Sequence, residues 1–411
     1  MKKNVCRFCD TPLGITFLDL GMSPLANSNL TESQLNAVEM FFPLHVYVCE
    51  ACLLVQLEEC SSPDKIFSDY DYFSSYSDSW LRHAQQYSEQ VIKRFDLNVS
   101  SQVIEIASND GYLLKNFCEQ GIPVLGVEPA RNVADVAREN GVATIVEFFG
   151  EKLAHDLTAK GMQADLLIGN NVLAHVPALN DFVRGLKVLL KPTGVITMEF
   201  PHLMRLMGET QFDTIYHEHF SYFSFYTVQK IFAKHGLKVF DLEEISTHGG
   251  SLRIYCGHEQ DLTKSIQPRV FELQQREEKE GFSQLEHYLS FVGRVTYVKR
   301  QLLLFLISAK EAGKTIVAYG APAKGNTLLN YCGIRTDFID YTVDRSPHKQ
   351  GKFLPGTHIP IDEPDAIKKT KPDYLLILPW NLKDEIMEQM AFIRDWGGAF
   401  VVPIPEVVVY P

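Results

Sequence analysis

Gln102-Val-Ile-Glu-Ile-Ala-Ser-Asn-Asp-Gly111 is the stretch on which the fold turns. The apolar run 102–107 reads as a buried strand, and the small, turn-forming residues after it open a helix expected over 111–120. The same alternation continues outward. Strands are expected at 124–128, 143–147, 164–169, 195–200 and 252–256, with helices at 133–140 and 153–160. Upstream, a helical pattern covers 80–94. Such β-α-β-α order builds a mainly parallel, doubly wound sheet. A helical connector over about 265–310 leads to a second alternating unit, with strands at 315–319, 338–343, 374–378 and 399–402. In that unit Gly320-Ala-Pro-Ala-Lys-Gly-Asn326 forms the turn that opens a helix. The expected class is α/β in three parts: a small module over 1–65, a Rossmann-like domain over 66–264, and the connector with a C-terminal α/β domain over 265–411.

A chain of 411 residues needs more than one core. Hydrophobic content of 45% with 22% charged residues is that of a folded globular chain. The formal net charge of −12 argues against a nucleic-acid partner, which needs clustered Lys and Arg. The longest apolar run, 302–307, falls far short of the roughly 18 residues of a membrane span. The N-terminal Met-Lys-Lys-Asn-Val-Cys has no apolar core behind it to make a signal peptide. A cytoplasmic location follows as the expectation.

Of eight cysteines, four form two pairs, Cys6-x-x-Cys9 and Cys49-x-x-Cys52. Each pair places two thiolates about one tight turn, and four such sulfurs make a closed, structural Zn²⁺ site. A redox CxxC is the competing reading, but no βαβ pattern surrounds either pair. The metal would staple a module too small to hold a large core. Cys60, Cys118, Cys256 and Cys332 are scattered and are expected to be inert.

In the opening stretch, small residues at a strand end let a ligand approach the backbone, and the helix N-terminus offers amides. Gly126-Val-Glu128 ends the next strand with a carboxylate suited to both hydroxyls of a ribose. A dinucleotide or S-adenosylmethionine fits this pattern. Asn109 and Asp110 stand where a pyrophosphate would lie, and a carboxylate there repels phosphate, which favours the sulfonium cofactor. Ala107 replaces the glycine usual in such a loop. Asn170 and Asn171 end a later strand at the same carboxyl edge.

Ile215-Tyr-His-Glu-His-Phe-Ser-Tyr222 packs two histidines, a glutamate and two tyrosines together. That set suits removal of a proton from a weak acid and stabilisation of the resulting oxyanion. A solvated loop is the plainer reading. The His217-Glu-His219 spacing is not that of a helical zinc-protease motif, so no catalytic metal is expected.

Taken together, the residues resemble the zinc-containing, S-adenosylmethionine-dependent sugar C-methyltransferases that act at C3′ of nucleotide-linked 4-keto deoxysugars. The resemblance runs over nearly the whole chain. It rests on the two Cys pairs, Pro24-Leu-Ala-Asn27, Tyr72-Phe-Ser-Ser-Tyr-Ser77, Glu105-Ile-Ala-Ser-Asn-Asp-Gly111 and Asn170-Asn-Val-Leu-Ala-His175. It continues in Tyr216-His-Glu-His219, His248-Gly-Gly-Ser-Leu-Arg253 and Ala318-Tyr-Gly-Ala-Pro-Ala-Lys-Gly-Asn326. It implies a class I methyltransferase fold in the middle domain, a structural zinc on Cys6, Cys9, Cys49 and Cys52, and a nucleotide-sugar held between the middle and C-terminal domains. The cofactor residues it implies are Glu105, Ala107, Ser108, Asn109, Glu128, Pro129, Phe149, Asn170 and Asn171. His219 takes the role of base with Glu218 orienting it, and Tyr216 and His175 serve the keto oxygen. One of Tyr70, Tyr72 and Tyr76 faces the substrate. His248, Ser251 and Arg253 are candidates for the pyrophosphate, and Lys324, Asn326 and Lys349 for the nucleotide, be it thymidine, guanosine or cytidine. For Lys324 and Asn326 plain helix entry is the equal alternative. The rival classes are an NAD-dependent nucleotide-sugar oxidoreductase and a non-enzymatic zinc-ribbon binding protein. A monomer or small homo-oligomer is expected.

Overall fold

The computed structural model describes residues 4–60, 74–76 and 78–411. The chain forms two compact units. One takes Met1–Gly14, Cys49–His202 and Phe220–Gln284; the other takes Ile15–Val48, Leu203–His219 and Leu285–Pro411.

The first unit is built on a seven-stranded sheet of β1 (Val103–Ile106), β2 (Val124–Val127), β3 (Thr144–Ile145), β4 (Ala164–Asn170), β5 (Leu190–Pro201), β6 (Leu237–Ile245) and β7 (Ser251–His258). The strand order is β6-β7-β5-β4-β1-β2-β3. Neighbours are parallel from β5 through β3, while β7 runs antiparallel to both β5 and β6. All four residues of β1 are buried, as a central parallel strand covered on both faces requires. The helix α1 (Asp78–Arg94) lays Ala84, Tyr87 and Val91, three and four residues apart, against Val103, Leu166, Ile168 and Val195. The strand β6 has no counterpart in the sequence reading, because its polar positions break the apolar run. The helix expected over 111–120 shrinks to Leu114–Cys118, since Asn109 and Gly111 take left-handed backbone and delay its start. Beside the sheet, Val55–Leu57 pairs antiparallel with Ser221–Tyr222. Ser224 then caps α2 (Phe225–Lys234) by accepting from the Thr227 amide at 3.2 Å.

The expected connector resolves into separate helices. Pro268 opens α3 (Pro268–Glu280) and left-handed Gly281 closes it within the first unit. Leu285–Leu289 and α4 (Phe291–Glu311) fall in the second. There, β8 (Ile316–Tyr319), β9 (Thr342–Val343), β10 (Ile361–Asp362), β11 (Tyr374–Ile377), β12 (Ala399–Val402) and β13 (Val408–Tyr410) form a second doubly wound sheet. Its order is β10-β9-β8-β11-β12-β13, parallel except at the β13 edge. The helix α5 (Ala323–Cys332) follows β8.

These units cut across the sequential three-part division. The hairpin of Thr16–Ser23 with Phe42–Val48 joins the second unit because Phe17, wholly buried, stacks on Phe291 of α4 at 5.2 Å. The segment Leu203–His219 goes with it too, through buried polar bonds described below. Among the described residues, no helix is long and apolar enough to cross a membrane.

Candidate active site and zinc centre

The two Cys pairs fold into matching knuckles. Asp10 and Leu53, each directly after the second cysteine of its pair, take left-handed φ of 62° and 64°, and Leu53 N donates back to the Cys49 carbonyl at 2.9 Å. All four Sγ atoms lie within 4.8 Å of one another, with Cys6–Cys52 and Cys9–Cys49 at 3.5 Å. A tetrahedral zinc with bonds of about 2.3 Å sets its sulfurs about 3.8 Å apart, so the cluster fits that ion. Gln56 Nε2 donates to Cys6 Sγ at 3.2 Å while its Oε1 accepts from Arg7 N. The Arg7 guanidinium ties the knuckle to the strand pair, donating to the Leu57 and Phe220 carbonyls at 2.6 and 2.7 Å. Contact with Cys49 and Cys6 pushes the Cys52 thiol up, and contact with Cys52 and Cys6 pulls Cys49 down. Sulfurs so close carry full negative charge together only around a cation. Burial pushes the thiols of the remaining cysteines, Cys60, Cys118, Cys256 and Cys332, upward, as inert positions require.

At the carboxyl edge of the first sheet, three non-glycine residues sit in left-handed backbone: Ala107 (φ 57°), Asn109 (φ 50°) and Asn171 (φ 55°). Such conformations cost of order 1–3 kcal/mol each and gather at binding sites. Glu128 holds the loop by accepting from the Asn109 and Ala130 amides, both at 2.9 Å. Gly126 is required there, because a Cβ would lie 2.4 Å from Ser108 Oγ. Glu105 Oε2, Ser108 Oγ, Asp110 Oδ1, both side-chain polar atoms of Asn170 and Asn171 Oδ1 are buried without a hydrogen-bond partner among the described residues. Unsatisfied groups in that number mark a ligand cradle. Its character is acidic. Burial, then the neighbouring Glu128 and Asp110, push the Glu105 carboxyl well above the usual range, and burial raises Glu128. Asn109 Oδ1 and Asp110 Oδ2 accept from the Ser74 and Ser75 amides at 3.0 and 3.1 Å, so these side chains anchor that turn as well as disfavouring phosphate. Pro129 and Phe149 are half-buried near by in sequence, Phe149 packing edge-on against Phe182.

A cationic ligand favours ionised carboxyls, so its binding to this cradle should expel protons. Affinity for S-adenosylmethionine is therefore expected to rise as pH climbs above the ordinary carboxylate range. Calorimetry in buffers of different ionisation enthalpy checks this, and binding without proton release would refute it. Glu128→Ala should reduce both the proton release and, by at least about tenfold, the affinity, since hydrogen bonds to a charged group contribute roughly 1.5–3 kcal/mol.

The histidine-rich stretch splits between roles. His219 Nδ1 donates to the Thr214 carbonyl at 2.9 Å, which fixes Nε2 as the basic nitrogen of the ring. The Tyr216 ring stands 4.1 Å from that imidazole, centre to centre. The orienting group is thus a backbone carbonyl, a correction to the expectation that Glu218 would do it. Glu218 instead accepts from Asn27 Nδ2 at 2.6 Å, and burial pushes it up to about 7 against that bond. His217 donates through Nε2 to the Pro43 carbonyl at 3.3 Å and lies edge-on to Phe42, and burial lowers its pKa. All of these groups belong to the second unit. His175 closes the 3-10 turn Leu173–His175 in the first unit, just after the two asparagines. Tyr76 ends the 3-10 turn Ser74–Tyr76, while Tyr70 and Tyr72 lie outside the described residues.

Several expected substrate contacts prove to be internal. Arg253 is 3% exposed; it donates to Glu199 at 2.7 Å and Glu243 at 2.9 Å and lies over the Tyr87 ring, so it is committed to carboxylates rather than a phosphate. Ser251 Oγ donates to the Thr247 carbonyl at 2.9 Å. His248 alone of the three stays exposed, in left-handed backbone, with Nε2 accepting from Asn171 Nδ2 at 3.2 Å. Lys324 Nζ donates to Asn381 Oδ1, Asn326 Nδ2 to the Ala26 carbonyl, and Lys349 Nζ to the Ala321 carbonyl, at 2.7, 2.7 and 2.9 Å. Each of these bonds is internal to the second unit. The sequence reading gave no role to Asn27, Asp213 and Trp380, whose partners lie far along the chain, nor to Thr214, which meets His219 five positions on.

Residues 246–405 match the family described as "C-methyltransferase C-terminal domain", 80–242 the family "Methyltransferase domain" and 6–67 the family "Putative zinc binding domain". The C-methyltransferase NovU of Streptomyces niveus is 35% identical over 401 residues, which span 98% of this chain and 95% of NovU. The chain belongs to the zinc-containing C-methyltransferase family. It is an S-adenosylmethionine-dependent methyltransferase, which displaces the oxidoreductase and non-enzymatic readings. Solved structures that resemble part of it include the PH0226 protein of Pyrococcus horikoshii OT3 (17% identity, 47% of this chain, 97% of that one, TM-score 0.38). Magnesium protoporphyrin IX methyltransferase of Synechocystis PCC 6803 with bound SAM is another (17%, 47%, 88%, TM-score 0.33). At such scores these likenesses carry no weight. In this C-methyltransferase, Glu105, Ser108, Glu128, Asn170 and Asn171 would hold the methyl donor, and the four thiolates the zinc.

Proposed function

We propose that this enzyme methylates C3′ of a nucleotide-linked 4-keto-6-deoxy sugar through an enolate that His219 generates. The observation that carries the proposal is the His219 imidazole with Nδ1 held by the Thr214 carbonyl and Tyr216 at its side. A carbon acid next to a carbonyl becomes nucleophilic only on losing its proton, so C-methylation calls for a base and an oxyanion donor. His219 Nε2 takes the C3′ proton, and the electron pair delocalises onto the 4-keto oxygen. Tyr216 donates a hydrogen bond to that oxygen as its charge grows. S-adenosylmethionine would supply the electrophilic methyl there, with its sulfonium becoming a neutral thioether. The new C–C bond restores the ketone, and His219 releases its proton to solvent. The sugar class is supported by the sequence resemblance and by the carbon acceptor that the C-methyltransferase family implies.

Incubation with S-adenosylmethionine and thymidine-, guanosine- and cytidine-diphosphate 4-keto-6-deoxy sugars, read by mass, tests the proposal. Gain of one methyl on carbon supports it, and no product from any of the three refutes it. Tyr216→Phe should slow methylation by roughly two to three orders of magnitude, the cost of one oxyanion donor, without eliminating it. A Tyr216→Phe enzyme at full rate would remove that tyrosine from the reaction.

A further inference from the structure

The loop that carries His219 is fixed from both sides by groups of the second unit that belong to none of the motifs. Trp380 Nε1, in the 3-10 turn Trp380–Leu382 after β11, donates to Asp213 Oδ2 at 2.7 Å. Thr327 Oγ1, on α5, donates to the Ile215 carbonyl at 2.9 Å. Between these two anchors lies Thr214, whose carbonyl receives His219 Nδ1. Asp213 is 0% exposed, and the Lys324 ammonium stands over the Trp380 ring at 4.7 Å. Phe212 adds an edge-on contact with Tyr331 of α5 at 5.4 Å.

A buried carboxylate is a costly way to hold a loop, and an apolar side chain of similar volume would do so at less expense. What directed hydrogen bonds add is register. Here they fix the residues on either side of the one carbonyl that sets the tautomer and tilt of the imidazole. We propose that Trp380, Asp213 and Thr327 are positioning residues for proton abstraction, clamping the peptide segment that orients His219. The inference rests on the reading of His219 as base. It gives the C-terminal α/β unit a part in the chemical step.

The test uses the full-length enzyme with a thymidine-diphosphate 4-keto-6-deoxy hexose. It reads kcat, KM, S-adenosylmethionine affinity and the exchange of substrate C3′–H with deuterated solvent in the presence of S-adenosylhomocysteine. Thr327→Val and Trp380→Phe should each lower kcat and exchange about tenfold or more, as small displacements of a catalytic group do. KM and cofactor affinity should stay within about twofold, a split that general loosening of the fold would not give. Thr327→Ser, which keeps the hydroxyl, should restore both rates. In a His219→Asn background Thr327→Val should add no further loss. If Trp380→Phe does not fold, the Thr327 pair decides alone. Wild-type exchange in Thr327→Val, or equal losses in Thr327→Val and Thr327→Ser, overturns the clamp while leaving the base reading intact. Wild-type exchange in His219→Asn overturns the base reading itself.

Discussion

His219→Asn is expected to lower methyl transfer by at least two to four orders of magnitude, the usual contribution of a general base. The same variant should stop exchange of the substrate C3′–H in the presence of S-adenosylhomocysteine, because exchange needs the base but not the methyl group. Asparagine is smaller than histidine, yet its amide can still donate to the Thr214 carbonyl that now receives Nδ1 at 2.9 Å. The segment Leu203–His219 should therefore keep its fold. Zinc content, melting temperature and cofactor affinity should be nearly unchanged, since the thiolates and the carboxyl-edge cradle belong to the other unit. Paired rate and exchange measurements decide the matter. If His219→Asn methylates at near wild-type rate, the base is another group. Glu218 is then the first alternative, because burial has already brought its carboxyl to about 7, where it can both hold and release a proton near neutrality.

Cys49→Ser should remove the zinc and unfold the segments the metal ties together. Four sulfurs within 4.8 Å of one another form one closed site, and serine offers no thiolate to complete it. Structural zinc contributes on the order of 10 kcal/mol to small domains, as much as a whole domain's typical stability. The consequences should be local at first. Arg7 would lose its fixed position against the Leu57 and Phe220 carbonyls, and the pairing of Val55–Leu57 with Ser221–Tyr222 should weaken. Metal analysis should find one zinc per wild-type chain and none in Cys49→Ser, with limited proteolysis cutting the variant before residue 60. Cofactor affinity should outlast the metal under mild chelation. Cys118→Ser serves as the control and should keep its zinc; loss of zinc there, with retention in Cys49→Ser, would overturn the assignment.

Much of this molecule can be read without coordinates. Alternating apolar runs and turn residues give both doubly wound sheets, because a strand buried on both faces must be apolar throughout and a helix start must present small or capping residues. Paired cysteines give the metal centre, because two thiols about one turn is a local geometry. Glu105-Ile-Ala-Ser-Asn-Asp-Gly111 gives the cradle for the same reason. What the tertiary structure alone decided is which distant groups meet. Asn27 reaches Glu218 across 191 positions, and Trp380 reaches Asp213 across 167. Arg253 resembles a phosphate ligand until strand register sets it opposite Glu199 on β5 and Glu243 on β6. Residues 203–219 lie between β5 and β6 of the first sheet in sequence yet belong to the second unit. Backbone periodicity is written residue by residue along the chain. The partner of a buried polar group is fixed only by strand order and packing, where leaving it unpaired costs more than any local preference offers.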